Sequence, residues 1–169
     1  MTTHDQSEPP VFQVHNGFEV YPMPMFAAME TPDVDALAQW YQDALGFGIM
    51  FRSPGSGAQP MVVHLRRRKY QDVLIVPVPP GSIRPEVGGR WSLCLQAGEN
   101  VDQFAMRAAA VPAIGKVRIE PVADTPWNTR QVRIFDPDGR LLVFSQPRFD
   151  PELTQRWRQA FEADKGTGS

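Results

Sequence analysis

The chain has 169 residues, 42% of them hydrophobic and 21% charged, with a formal net charge of −2. This balance predicts one globular domain with a real core, and the slight negative charge excludes the basic footprint of a nucleic-acid or anionic-membrane binder. Cys94 is the only cysteine, which excludes an intrachain disulfide and points to a reducing, cytoplasmic setting.

No apolar run approaches the ~20 residues of a membrane span, and the polar, acidic start Met1–Glu8 lacks the features of a secretory signal. Residues 1–22 read as an N-terminal arm. Val11–Val14 and Phe18–Tyr21 flank Asn16-Gly17, a hairpin signal, although the same segment reads equally as an extended arm. Met23–Glu30 reads as a strand. A helix follows, with Asp33 as its N-cap, an apolar stripe of Val34, Leu37, Ala38, Tyr41 and Leu45, and Gly46 as its stop. Phe47–Phe51, Met61–Leu65 and Val73–Val76 read as strands, and Ser53–Gly57 as a loop. The basic run Arg66-Arg67-Arg68-Lys69 reads as a solvated hairpin tip, because no glycine-rich cradle accompanies it.

Pro77–Gly89, rich in proline and glycine, reads as a linker. The order then repeats, with a strand at Trp91–Leu95, a helix at Val101–Ala110 and a strand at Lys116–Glu120. A hairpin closes the half, its arms Gln131–Phe135 and Arg140–Ser145 joined by the turn Asp136-Pro137-Asp138-Gly139. The helix starts Val34-Asp35-Ala36-Leu37-Ala38 and Val101-Asp102-Gln103-Phe104-Ala105 are offset by 101 − 34 = 67 residues, and Gly46 and Gly115 by 115 − 46 = 69. Near-equal offsets argue for an internal repeat of strand, helix and three strands. Asp150 and Pro151 start a last helix, with Leu153, Trp157 and Phe161 on one face. The expected organisation is thus an arm (1–22), a domain (23–147) of two modules (23–78 and 89–147), and a C-terminal helix and tail (148–169).

The segment Asp33–Phe47, with Trp40-Tyr41 followed by Leu45-Gly46-Phe47, resembles the first helix of the vicinal oxygen chelate superfamily. That group holds glyoxalases, bleomycin-resistance proteins and extradiol dioxygenases. The Asp136–Gly139 turn before the final strand resembles its second hallmark. The resemblance spans about residues 23–146. It implies an α+β fold of two βαβββ modules whose mixed sheet curls around a cleft, with helices outside. It also implies dimers in many members.

Enzymes of this superfamily hold a divalent metal through His, Glu or Gln at four strand positions. Here those positions fall on Phe26, within Leu74–Val76, within Trp91–Leu93, and on Val143, which argues against a metal of the family type. No other cofactor is indicated. His64 stands alone in its strand. The resemblance therefore implies a metal-free protein that sequesters a small hydrophobic or aromatic natural product, as in antibiotic self-resistance. Phe26, Ala28, Glu30, His64, Trp91, Trp127, Arg130, Val143 and Ser145 are the candidate ligand contacts. Phe26 and Trp91 also fit core packing, Arg130 a structural pair with Asp124 or Asp136, and His64 a satisfied sheet histidine. The alternative is an enzyme, a lyase, isomerase or dioxygenase relative, acting without metal through His64 or Glu30 as general base. A third reading makes the C-terminal helix a partner-binding face. The expected partners are the small ligand and a second copy of the chain, with no nucleic acid and no membrane.

Overall fold

The computed structural model describes residues 25–55, 60–79, 81, 92–152, 154–156 and 158–159, together with the backbone of 13–15 and 18–20. The chain separates into two compact units, Met1–Ile83 and Arg84–Ser169.

In unit one, β1 (Gln13–His15) and β2 (Phe18–Val20) pair antiparallel, the hairpin that is one of the two readings of this segment. The main sheet is formed by β3 (Ala27–Thr31), β4 (Gly48–Arg52), β5 (Val63–Arg66) and β6 (Asp72–Pro77) in the order β3-β6-β5-β4. β3 lies parallel to β6, and the other neighbours are antiparallel. Helix α1 (Val34–Leu45) begins where the Asp33 side chain accepts the Ala36 N–H at 2.9 Å, a cap of about 1 kcal/mol. It ends at Gly46, whose φ of 72° lets Gly46 N–H and Phe47 N–H reach the carbonyls of Gln42 and Tyr41. Arg67 Nε donates to the Leu45 carbonyl at 2.9 Å. The α1 stripe Val34, Leu37, Ala38, Tyr41 and Leu45 is buried. It covers one face of the sheet, where Met29, Val63, Leu65, Val73 and Ile75 are also buried. Tyr41 Oη lies 3.2 Å from Met29 Sδ, which fixes that face as the helix side.

Unit two repeats the plan. Strands β7 (Ser92–Gln96), β8 (Arg118–Ile119), β10 (Thr129–Phe135) and β11 (Leu141–Pro147) run in the order β7-β11-β10-β8. A short β9 (Ala123–Asp124) pairs with the start of β10. β7 lies parallel to β11, as β3 does to β6. Helix α2 (Val101–Ala110) is capped by Asn100 and packs on β10 and β11. The rings of Phe104 and Phe144 stand 4.5 Å apart, marking the α2 side of this sheet. The repeat of strand, helix and three strands is therefore present, with β9 as an addition. Beyond β11 the described residues 151–152, 154–156 and 158–159 are helical; Leu153, Trp157 and Phe161, the expected apolar face, lie outside the described residues. Among the described residues no helix is long and apolar enough to cross a membrane.

One expectation for the hairpin tips fails. Arg66 does not belong to a solvated tip. It ends β5, is 3% exposed, and its Nε donates to Asp72 Oδ1 at 2.6 Å. The opposing strand supplies a carboxylate in register with Arg66, so the arginine is drawn out of the basic run and into the sheet. Arg68 and Lys69 are exposed as expected.

Candidate functional site

Alternation along a strand sends neighbouring side chains to opposite faces. With Met29 facing α1, the other face of unit one carries Ala28 and Glu30, both exposed, with Phe26 at the strand's entry, 46% exposed. Ala28 lies beside Leu74, Leu74 beside His64, and His64 beside Phe51. The structure therefore brings four of the expected contacts, Phe26, Ala28, Glu30 and His64, to one sheet face.

That face also holds a charged cluster. His64 Nε2 lies 2.7 Å from Asp72 Oδ1, the same oxygen that accepts from Arg66 Nε. The Asp72 side chain is 1% exposed, that of Arg66 4% and that of His64 16%. Asp72 and Arg66 are residues of this candidate face that the sequence reading did not place there. The available signal was their opposition across the β5–β6 hairpin: one acid and one base, six residues apart, in neighbouring strands.

In unit two, Val143 and Ser145 alternate with Phe144, so they face away from α2. Ser92 and Cys94 lie beside Leu141 and Val143 on that face. Arg133, Glu120 and Arg118 form an ion-pair chain there, with Arg118 4.0 Å above the Phe135 ring. Trp127 sits at the tip of the β9–β10 hairpin, 58% exposed. Thr125 N–H donates to the Thr129 carbonyl and Asn128 adopts a φ of 65° in that turn. Arg130 points to the other side of the sheet. Its guanidinium bonds both carboxylate oxygens of Asp102 on α2, at 2.7 and 2.8 Å, and Asp124 at 2.8 Å. These bonds hold the Asp102 carboxyl below its ordinary range and push Arg130 up. Of the two structural partners expected for Arg130, Asp124 is present; Asp136 binds Arg140 instead. Trp91 lies outside the described residues.

The donor set does not fit a divalent metal. Phe26, Leu74 and Val143 offer no nitrogen, oxygen or sulfur donor, and the strand neighbours of Val143 are Cys94, with its thiol, and Arg133, whose guanidinium is paired with the Glu120 carboxylate. Among the described residues no three of His, Cys, Asp and Glu converge.

Comparison with known proteins gives the class. Residues 26–144 match the model of the Glyoxalase/Bleomycin resistance protein/Dioxygenase superfamily. The chain belongs to that superfamily, and the paired βαβββ arrangement agrees. Among solved structures it is similar to a bleomycin resistance determinant encoded on the transposon Tn5, at 23% identity and a TM-score of 0.56, covering 74% of this chain and 98% of that one. It is similar to the bleomycin-binding protein of bleomycin-producing Streptomyces verticillus, solved with copper(II)-bleomycin, at 17% identity and a TM-score of 0.52, covering 78% and 99%. It is also similar to a lactoylglutathione lyase of Agrobacterium tumefaciens, at 21% identity and a TM-score of 0.51, covering 72% and 90%. No curated protein matches the chain in sequence.

Proposed function

We propose that this chain is a binding protein that sequesters a small hydrophobic or aromatic compound, as drug-resistance members of the superfamily do, without metal chemistry. One observation carries this reading: the strand positions where a family enzyme holds its metal ligands, counted from the sequence motifs, fall on Phe26, within Leu74–Val76, within Trp91–Leu93 and on Val143, and none of these supplies a His, Glu or Gln. Apolar and aromatic walls suit burial and stacking of a flat ligand. The two bleomycin-related neighbours support the reading. We further propose a cytoplasmic homodimer.

The neighbouring lyase belongs to a second reading, a metal-independent enzyme. The His64–Asp72 contact is the observation in its favour, because a carboxylate behind an imidazole is the arrangement of a tuned proton acceptor.

Titration of intrinsic tryptophan fluorescence with bleomycin tests the first reading. A saturable change is expected, with Trp127→Ala weakening binding roughly tenfold or more, as loss of an aromatic contact does. No saturable change would reject bleomycin-type sequestration, and turnover of the bound compound would move the protein to the enzyme class. Elemental analysis that found stoichiometric Zn, Ni, Fe or Mn would overturn the metal-free part.

A further inference from the structure

Asp72 accepts two hydrogen bonds on one oxygen, from Arg66 Nε at 2.6 Å and with His64 Nε2 at 2.7 Å. A carboxylate beside a guanidinium is ionised and only accepts. His64 Nε2 must therefore carry the proton, whatever the charge of the ring. In the neutral ring Nδ1 is then the acceptor, because the two nitrogens of an imidazole divide these roles. Buried ion pairs stabilise a fold little compared with apolar side chains of equal size. Arg66 and Asp72 lie almost wholly buried beneath an imidazole that keeps 16% of its side-chain surface open. A purely structural rung between β5 and β6 would be complete with Arg66 and Asp72 alone. The added, partly open histidine gives the pair an outlet on the sheet face that also carries Ala28, Leu74 and Phe51.

We propose that Asp72 and Arg66 are positioning residues that lock His64 as the Nε2–H tautomer, making Nδ1 a fixed acceptor for a ligand that donates a hydrogen bond from a phenol, hydroxyl or N–H group. This rests on the reading of that face as a small-molecule surface. It adds a requirement to the apolar wall: the ligand carries a donor next to its flat or hydrophobic part. A surface that accepts a hydrogen bond disfavours an analogue that lacks the donor, by the worth of one net hydrogen bond.

The first test needs no ligand. Long-range ¹H–¹⁵N spectra of the imidazoles, recorded in mildly alkaline buffer, should show neutral His64 as the Nε2–H tautomer. Asp72→Asn should shift the populations toward the Nδ1–H form; should that variant fail to fold, the unmodified protein still reports the tautomer. The second test uses two probes, 4-cresol and 4-methylanisole, which share a ring and differ in the O–H. Followed by backbone amide ¹H–¹⁵N spectra, cresol should bind roughly threefold to tenfold more tightly, the worth of one net hydrogen bond. In His64→Phe that preference should vanish. A predominant Nδ1–H tautomer in the unmodified protein overturns the proposal. So does equal binding of the two probes on this face, which would leave the small-molecule surface standing. If neither probe perturbs any residue of the face, both the proposal and that reading fall.

Discussion

Gly46 and Gly115 stand at near-equivalent places in the two halves, and both have positive φ, 72° and 56°. Their surroundings differ. A Cβ on Gly46 would meet nothing within 4 Å, whereas one on Gly115 would lie 2.3 Å from the Pro137 carbonyl oxygen. That carbonyl also accepts the Lys116 N–H at 2.8 Å. Gly46 caps α1, while α2 ends earlier, at Val111, so Gly115 serves the hairpin turn and not the helix. Gly46→Ala should cost about 1 kcal/mol from backbone strain alone. Gly115→Ala should cost about 3 kcal/mol, because the strain is joined by a clash with rigid backbone. Urea unfolding of both variants checks this, and equal losses would refute it. Asp136 anchors the same turn from within: fully buried, it accepts from the N–H groups of Asp138 and Arg140 and from the Arg140 guanidinium. Burial works against the charge on Arg140, and the attraction and hydrogen bonds of Asp136 and Asp138 together outweigh it, so the guanidinium is held above its ordinary value. The turn was legible in the sequence because Asp, Pro and Gly act locally. The burial of Arg66 was not, since four successive basic residues read as surface until the register of a neighbouring strand is known.

Helices and hairpins were legible where their signals are periodic or short-range. The cap of α1, its apolar stripe and its glycine stop all stand in the sequence and in the structure. β9 escaped because two residues carry no period. The clamp between Arg130 and Asp102 escaped because its partners are 28 residues apart, and only the packing of α2 on β10 joins them. That clamp has a pH signature. Arg130 lowers the Asp102 pKa in the folded chain below the ordinary value of about 3.9. A depressed carboxylate contributes stability above its unfolded pKa and loses it as pH falls through the folded value. Asp102→Asn should therefore be less stable than the parent by a constant margin from neutral pH down to about pH 5, and the margin should close below about pH 4. Chemical denaturation across this range measures it; a margin unchanged in acid would show that Asp102 acts without its charge. Both partners are substantially exposed, so salt should shrink the margin as well.

At the scale of the whole molecule, the two units share one plan, and the repeat read from helix starts 67 residues apart is a repeat of topology. The superfamily follows from that plan, whereas the chemistry depends on which side chains occupy a few strand positions. Here the sequence reading singled out Phe26 and Val143 by counting from local motifs, but it could not see that Arg130 turns toward α2. Faces of a strand are fixed by packing partners, and a count of residues cannot supply those. The strand order carries a further consequence, for how the chain acquires its structure. In the main sheet of each unit, among the described residues, the first strand in the chain pairs only with the last one, β3 with β6 and β7 with β11. Neither opening strand has any partner until some 45 residues after it have been made and threaded into place, from Ala27 to Asp72 in unit one. Loop closure of that kind slows folding. In pulsed hydrogen exchange during refolding, amides of β4 and β5 should become protected first, and those of β3 no sooner than those of β6. Emerging from a ribosome, each unit would hold its first strand open until its last arrives, which makes the unpaired edges of β3 and β7 the places where a nascent chain is most exposed to mispairing.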